Sequence, residues 1–308
     1  MEKTLGQAWV ADDAQRGQRL DAALAILFPT GLRGRRRLWK GHSVLVDGIA
    51  RSPAFRLHGG ELIRLVPADP PDTEEKSEEK PVAAFSGDPP RLLARQDPLF
   101  FFYKPCGLHT AQLAGATDPS LEAFMARLMP DSSGIALRLL SRLDRGTSGI
   151  VPAAGDEDAA ARWRQQEHAG NIHKHYLAVL EGWLDRERTV RNALDLTRSR
   201  RTRVSEGEGP VLRHTRICPL GHFQAGDAPE LMVGCPEGAR FTLALCCIAR
   251  GARHQIRAHA AHIGHPLAGD TLYGAQGGPS FLLHHCRIQW PEGELSCAPP
   301  WLAGQRAF

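Results

Sequence analysis

The chain has 308 residues, 42% of them hydrophobic, with 38 Lys and Arg against 34 Asp and Glu and a formal net charge of +4. Such a composition can bury enough apolar surface to offset chain entropy, which excludes a disordered or fibrous protein, and the length suits one large domain or two. No run of about 18 apolar residues could span a bilayer, no export signal opens the chain, and the seven cysteines show no CxxC spacing, so the expectation is a soluble protein of the reducing cytoplasm, with no membrane association, disulfide framework or bound metal.

Residues 1–15 read as a tail. Residues 16–66 carry ten Lys and Arg against three acids, a net charge of +7, and basic charge concentrated in this way is the footprint of nucleic-acid binding. Leu20, Leu24 and Leu27 fall at helical spacing, and Pro29 with Gly31 ends that segment. A basic run containing Arg33, Arg35, Arg36, Arg37 and Lys40 follows, and then SVLVDG and ELIRLV, whose alternation between Gly-containing turns reads as short strands. Taken alone, the basic run fits a solvated helix face better than an RNA contact. Residues 67–90, PADPPDTEEKSEEKPVAAFSGDPP, hold seven acids and two lysines between flanking prolines and read as an acidic, extended linker.

Residues 91–308 form the larger domain. DPLFFFYKP (97–105) reads as an apolar strand stopped by proline, and GDEDAAARWRQQE (155–167) as a helix with acids in its first turn. KHYLAVLEG (174–182) and RFTLALCCIA (240–249) read as strands, and HQIRAHAAHIG (254–264) as a helix ended by Gly264 and Pro266. Strands and helices mix without regular βαβ alternation, which predicts an α+β fold. His254, His259, His262 and His265 lack the i, i+4 pair of a zincin helix, so packing and hydrogen bonding are their expected roles. Cys246 and Cys247, adjacent in a strand, point to opposite faces. The basic run RNALDLTRSRRTR (191–203) suits an RNA path or a solvated loop.

SRLDRGTSGIV (141–151) sets Asp144 between two arginines in a turn, where a neighbouring guanidinium would hold the carboxylate ionised. Read by itself, Asp144 is a turn residue. Its meaning changes with the order FYKPCGLHT (102–110), SRLDRGTSGIV, HKHYLAVLEGW (173–183), ARGARHQIRAHAAHIGHPLAGDTLYG (249–274) and FLLHHCRI (281–288). Together these segments closely resemble the RluA type of RNA pseudouridine synthase. Residues 16–66, through RLDxxL at 19–24, the basic run and VLVDG at 44–48, resemble the S-four-type RNA-binding module that often precedes that catalytic domain.

The resemblance implies a pseudouridine synthase fold with a mixed, mainly antiparallel central sheet, preceded by a small α/β RNA-binding module. It implies a cofactor-free isomerase of uridine in ribosomal or transfer RNA. Asp144 would act at the ribose, as nucleophile on the anomeric carbon or as base giving a glycal. Tyr176 would stack on the target base, Arg257 would pair with Asp144, and Arg142 would contact RNA near the flipped nucleotide. Two departures stand out: Ser141 where many members have His before RLD, and GARHQIR where GRTHQIR is usual. An RNA-binding or ribosome-assembly protein that keeps the fold without catalysis is the alternative, and the joint presence of Asp144, Tyr176 and Arg257 argues against it. A glycosidase would need a second positioned acid, for which the motif region offers no obvious residue.

Overall fold

The computed structural model describes residues 8–12, 15–27, 42–47, 49–50, 55–57, 59–67, 88–112, 118–125, 127–129, 137–196, 201–274 and 282–302. Its contacts divide the chain into two units, Met1–Lys80 and Pro81–Phe308.

In the first unit four strands, β1 (Ala8–Val10), β2 (His42–Val46), β3 (Ile49–Ala50) and β4 (Leu62–Pro67), form an antiparallel sheet in the order β1-β4-β2-β3. Strand alternation turns Val44 and Val46 of β2, and Ile63 and Leu65 of β4, to one face. There they meet Leu20, Ala23 and Leu24 of the helix Leu20–Leu27, all buried. At the turn into β3, Asp47 takes a left-handed φ of 49° and its carboxylate accepts the Leu62 N–H at 2.8 Å. The structure departs from the sequence expectation at residues 8–10, which leave the tail to pair with β4 and pack Trp9 against the core. A three-residue strand is too short for period-2 alternation to register, and here the pairing edge of β4 creates it. Arg33, Arg35, Arg36, Arg37 and Lys40 lie outside the described residues, as does the linker from 68 to 87.

The second unit contains β5 (Arg91–Gln96), β6 (Leu99–Lys104), β7 (Arg138–Leu139), β8 (Ser148–Ala154), β9 (His173–Glu181), β10 (Arg188–Val190), β11 (Asn192–Asp195), β12 (Arg203–Glu208), β13 (Thr215–Gln224), β14 (Arg240–Ile248), β15 (Leu283–Trp290) and β16 (Gly293–Ser296). Ten of these make one sheet along β10-β13-β14-β9-β15-β8-β6-β5, with β16 on β15 and β7 on β8. The β15–β8 pair is parallel and every other pair is antiparallel, so the sheet is mixed and mainly antiparallel as expected. β11 and β12 form a separate two-stranded ribbon.

Both faces of the sheet are covered, which is why β6 reads as an unbroken apolar run. Phe100 and Phe102 join one core with Val151, Ala153 and Leu108, while Phe101 and Tyr103 join the other with Trp163 and Trp290. Phe101 stacks on Trp290 with centroids 4.7 Å apart. Trp163 arrives on the helix Glu157–Ala169, whose N-cap Asp156 accepts the Ala159 N–H at 2.7 Å and whose C-cap Gly170 adopts φ 82°. The sequence did not announce β13, because Pro219 and Gly221 interrupt its pattern; a register shift at those residues accommodates both. Among the described residues, no helix is long and apolar enough to cross a membrane.

Candidate active site

Asp144 sits in the loop between β7 and β8, and two segments remote in sequence fix that loop. The Thr110 hydroxyl donates to the Leu143 carbonyl at 2.7 Å and accepts the Leu143 N–H at 3.0 Å. Gly107 N–H donates to the Arg145 carbonyl at 2.8 Å, and Arg145 Nε returns a bond to the Gly107 carbonyl at 3.0 Å. Beneath them Lys104, fully buried, donates its ammonium to the carbonyls of Pro105 (2.9 Å), Leu108 (2.8 Å) and Arg145 (3.3 Å). Burial pushes that lysine down to about 7, with Cys106 and Asp144 pulling the other way. The KPCGL segment is thus a cradle for the Asp144 loop.

The helix Gln255–His262 brings the charge partner. Gln255 and His259, one turn apart, anchor it: Gln255 Nε2 donates to the Arg213 carbonyl at 2.8 Å, and His259 contacts the Thr215 hydroxyl at 2.8 Å and the Asn192 carbonyl at 3.1 Å. Arg257 then reaches Asp144 Oδ2 through Nη1 at 3.0 Å. Its Nε and Nη2 make a two-pronged pair with Asp270 Oδ2 and Oδ1 at 2.6 and 2.8 Å. Desolvation would lower the pKa of this guanidinium, but the two carboxylates outweigh it and raise it, so Arg257 stays charged.

The arginine beside Asp144 is therefore not one of its sequence neighbours. Arg142 is exposed on the rim of the cleft and Arg145 spends its Nε on Gly107; the partner comes from 113 positions away. Asp270 is a second acid near Asp144, which the sequence reading did not find. Its side chain is 1% exposed and both oxygens serve Arg257, so it holds the arginine and does not face solvent as a glycosidase acid would.

Tyr176, on β9, lines the same cleft, a space of about 920 Å³ with Asp144, Arg257, His254 and Lys174 also on its walls. That volume accommodates a nucleotide. The Tyr176 ring lies on the His285 ring with centroids 4.6 Å apart and planes inclined by 16°. His285 is fully buried, held neutral by burial that takes it to about 3, and donates Nδ1–H to the Ile150 carbonyl. Burial and the nearby Asp144 raise the Tyr176 hydroxyl above its ordinary 10.0. Lys174 and Glu167 pair at the cleft edge.

Sequence reasoning missed Asp270, His254, Tyr273, Lys104 and His285 as contributors. Asp270 and Tyr273 both belong to the GDTLYG segment that carried part of the resemblance, so the signal was present without a role attached. Of the two departures, Ser141 lines the cleft, while Ala252 gives its N–H to Gln255 Oε1 at 3.0 Å and Arg253 is exposed, its carbonyl accepting the Thr202 hydroxyl at 2.8 Å. His265 donates Nδ1–H to the Glu181 carbonyl at 2.9 Å.

Comparison with known proteins bears on the whole arrangement. A sequence model described as RNA pseudouridylate synthase matches residues 98–262. The ribosomal large subunit pseudouridine synthase D of Xylella fastidiosa is 30% identical over 266 residues, covering 85% of this chain and 73% of that protein. The protein of the same name from Xanthomonas campestris is 31% identical over 278 residues, covering 89% and 76%. In fold, the structure of human RNA pseudouridylate synthase domain containing 1 aligns with a TM-score of 0.54 at 20% identity, across 70% of this chain and 86% of that one. The sheet, the family match over more than half of the chain and relatives at this level of identity agree: the chain belongs to the RNA pseudouridylate synthases, isomerases that convert uridine in RNA to pseudouridine.

Proposed function

We propose that this chain isomerises uridine in ribosomal RNA, with Asp144 as the residue that acts on the ribose. The observation that carries the reading is the Asp144–Arg257 contact of 3.0 Å on the wall of a nucleotide-sized cleft that also presents Tyr176. The two ribosomal-RNA-modifying relatives support the choice of RNA. The seven free cysteines suit a reducing cytoplasm.

The reaction detaches uracil at nitrogen 1, turns it and rejoins it through carbon 5. Asp144 serves either as nucleophile on the anomeric carbon or as base on the sugar, and both roles need an ionised carboxylate in place before the substrate arrives. Arg257 orients it, and Asp270 orients Arg257. The target uridine must leave its stack, at a cost of a few kcal/mol, and the Tyr176 ring offers a replacement stack of about 1–3 kcal/mol. Because His285 backs that ring, the platform is set before binding. Arg142, on the rim, contacts the RNA backbone beside the flipped nucleotide. The S-four-type module, through Arg33, Arg35, Arg36, Arg37 and Lys40, grips phosphates elsewhere on the RNA from the far end of the acidic linker, adding affinity without choosing the base.

The test is a map of pseudouridine in total RNA from cells with and without the gene, complemented by the wild-type chain or by Asp144→Ala. Loss of a ribosomal RNA site that only the wild type restores is expected. Restoration by Asp144→Ala would remove Asp144 from the chemistry, and the absence of any lost site would favour a binding protein over an enzyme.

A further inference from the structure

His254 stands beside Asp144 without a part in the steps assigned to Asp144, Arg257 and Tyr176. It precedes the helix Gln255–His262 with a φ of 54°, a left-handed conformation costly for a side chain other than glycine, and its imidazole does not cap the helix. The two ring nitrogens face other groups. Nε2 lies 3.8 Å from Asp144 Oδ2, and Nδ1 lies 3.2 Å from the Tyr273 hydroxyl.

Tyr273 decides which nitrogen carries the proton. Its hydroxyl donates to the Thr202 carbonyl and accepts the Thr202 N–H, both at 2.9 Å. The remaining lone pair faces His254, so Nδ1–H is the donor there and Nε2 of the neutral ring presents a lone pair next to Asp144. Burial favours that neutral form and lowers the pKa from 6.5; Asp144 and Asp270 pull it up, while Arg257 and Arg253 push it down.

The isomerisation has one proton left to move, and this step rests on the function proposed above. When carbon 5 of the turned base has bonded to the ribose it still carries its hydrogen. That C–H bond must break, its electron pair restoring the C5–C6 double bond, and nitrogen 1, released from the sugar, must gain a hydrogen. Tyr176 is a poor acceptor, since its buried hydroxyl is a firmly protonated phenol. We propose that His254 Nε2 carries this proton: it accepts the hydrogen from carbon 5, holds it as an imidazolium beside the Asp144 carboxylate, and releases it for nitrogen 1. One proton leaves carbon and one reaches nitrogen, with no oxidant and no co-reactant.

The experiment compares wild type, His254→Asn and Tyr273→Phe on an RNA fragment whose target uridine carries hydrogen or deuterium at carbon 5. Asparagine tolerates the left-handed backbone but cannot hold the proton. For His254→Asn the expected result is a kcat lower by roughly 10²–10⁴-fold with little change in KM, a deuterium effect larger than that of wild type, and loss of the wild-type fall in activity at pH below 6.5 as the imidazole protonates. Tyr273→Phe, which frees the tautomer, should show a smaller loss with the same enlarged deuterium effect, and it carries the test should His254→Asn fail to fold. An unchanged deuterium effect in the variants, whatever happens to kcat, would overturn the proposal. Wild-type turnover in the same assay keeps the two readings apart: its absence sinks the proposed function, whereas its presence with indifferent variants sinks only the role of His254.

Discussion

Asp270 holds Arg257 in a two-pronged ion pair at 2.6 and 2.8 Å, which leaves one guanidinium nitrogen for Asp144. The arginine cannot swing away to solvent without abandoning a carboxylate that is 1% exposed. Orientation of the proposed catalytic carboxylate therefore depends on a residue that does not touch it. Asp270→Ala would leave the Arg257 guanidinium with one carboxylate fewer, and breaking a buried pair costs up to about 3–5 kcal/mol, less here because Asp144 remains. Urea unfolding should show that loss, and kcat should fall in the fraction that remains folded, with KM for RNA nearly unchanged.

Tyr176 gives a second prediction. Phenylalanine keeps the ring on His285 and should bind RNA as wild type does. Leucine removes the stack, and the loss of about 1–3 kcal/mol corresponds to roughly 5- to 150-fold weaker capture of the flipped base. Fluorescence of 2-aminopurine placed next to the target uridine reports base flipping directly. Equal signals from the Tyr176→Leu variant and wild type would show that the platform is elsewhere.

How much of this was legible beforehand varies with the physics of each element. The helix at Glu157–Ala169 and the strands β6, β9 and β14 were readable because their apolar period or run is long and bounded by Gly, Pro or acids. β13 was hidden by Pro219 and Gly221, and β1 by its brevity. Asp144, Tyr176 and Arg257 were picked out through motif order, and the structure brings them to one cleft. What the sequence could not reveal is pairing at long range: that Arg257 and not Arg145 reaches Asp144, that a histidine lies under Tyr176, and that Lys104 ties two loops through carbonyls. Backbone acceptors and ring stacks leave no residue signature along a chain.

Among the described residues, three fully buried histidines make the fold sensitive to acid. His259 and His284 are lowered to about 4 and His285 to about 3, in each case chiefly by burial, against 6.5 in the unfolded chain. Between those values the unfolded chain binds protons that the native state refuses, so stability is fully present above pH 6.5 and declines as the pH falls from there toward 4. Melting temperature followed by circular dichroism from pH 7.5 to 4.5 should drop across this window. The drop should be shallower for His259→Gln, which keeps hydrogen-bonding groups facing Thr215 and Asn192 but has nothing to protonate.

The basic run of the first unit predicts a salt signature. If Arg33, Arg35, Arg36, Arg37 and Lys40 meet phosphates, RNA affinity falls steeply with ionic strength, and each Ala replacement lowers the slope of log K against log salt by about 1 or slightly less. Filter binding of the full chain between 50 and 200 mM salt measures this. Slopes that do not change with the replacements would reduce the run to a solvated face.

The role proposed for the Asp144 carboxylate, poised by Arg257, is the formation of pseudouridine. Its most direct test is pseudouridine formed per molecule of ribosomal RNA by the purified chain, set against Asp144→Asn, which keeps the shape and an acceptor for Arg257 Nη1 but has no charge. Wild type should approach one pseudouridine per target site, while Asp144→Asn should bind the RNA with comparable affinity and yield none above background. Product from Asp144→Asn at the wild-type rate would contradict it.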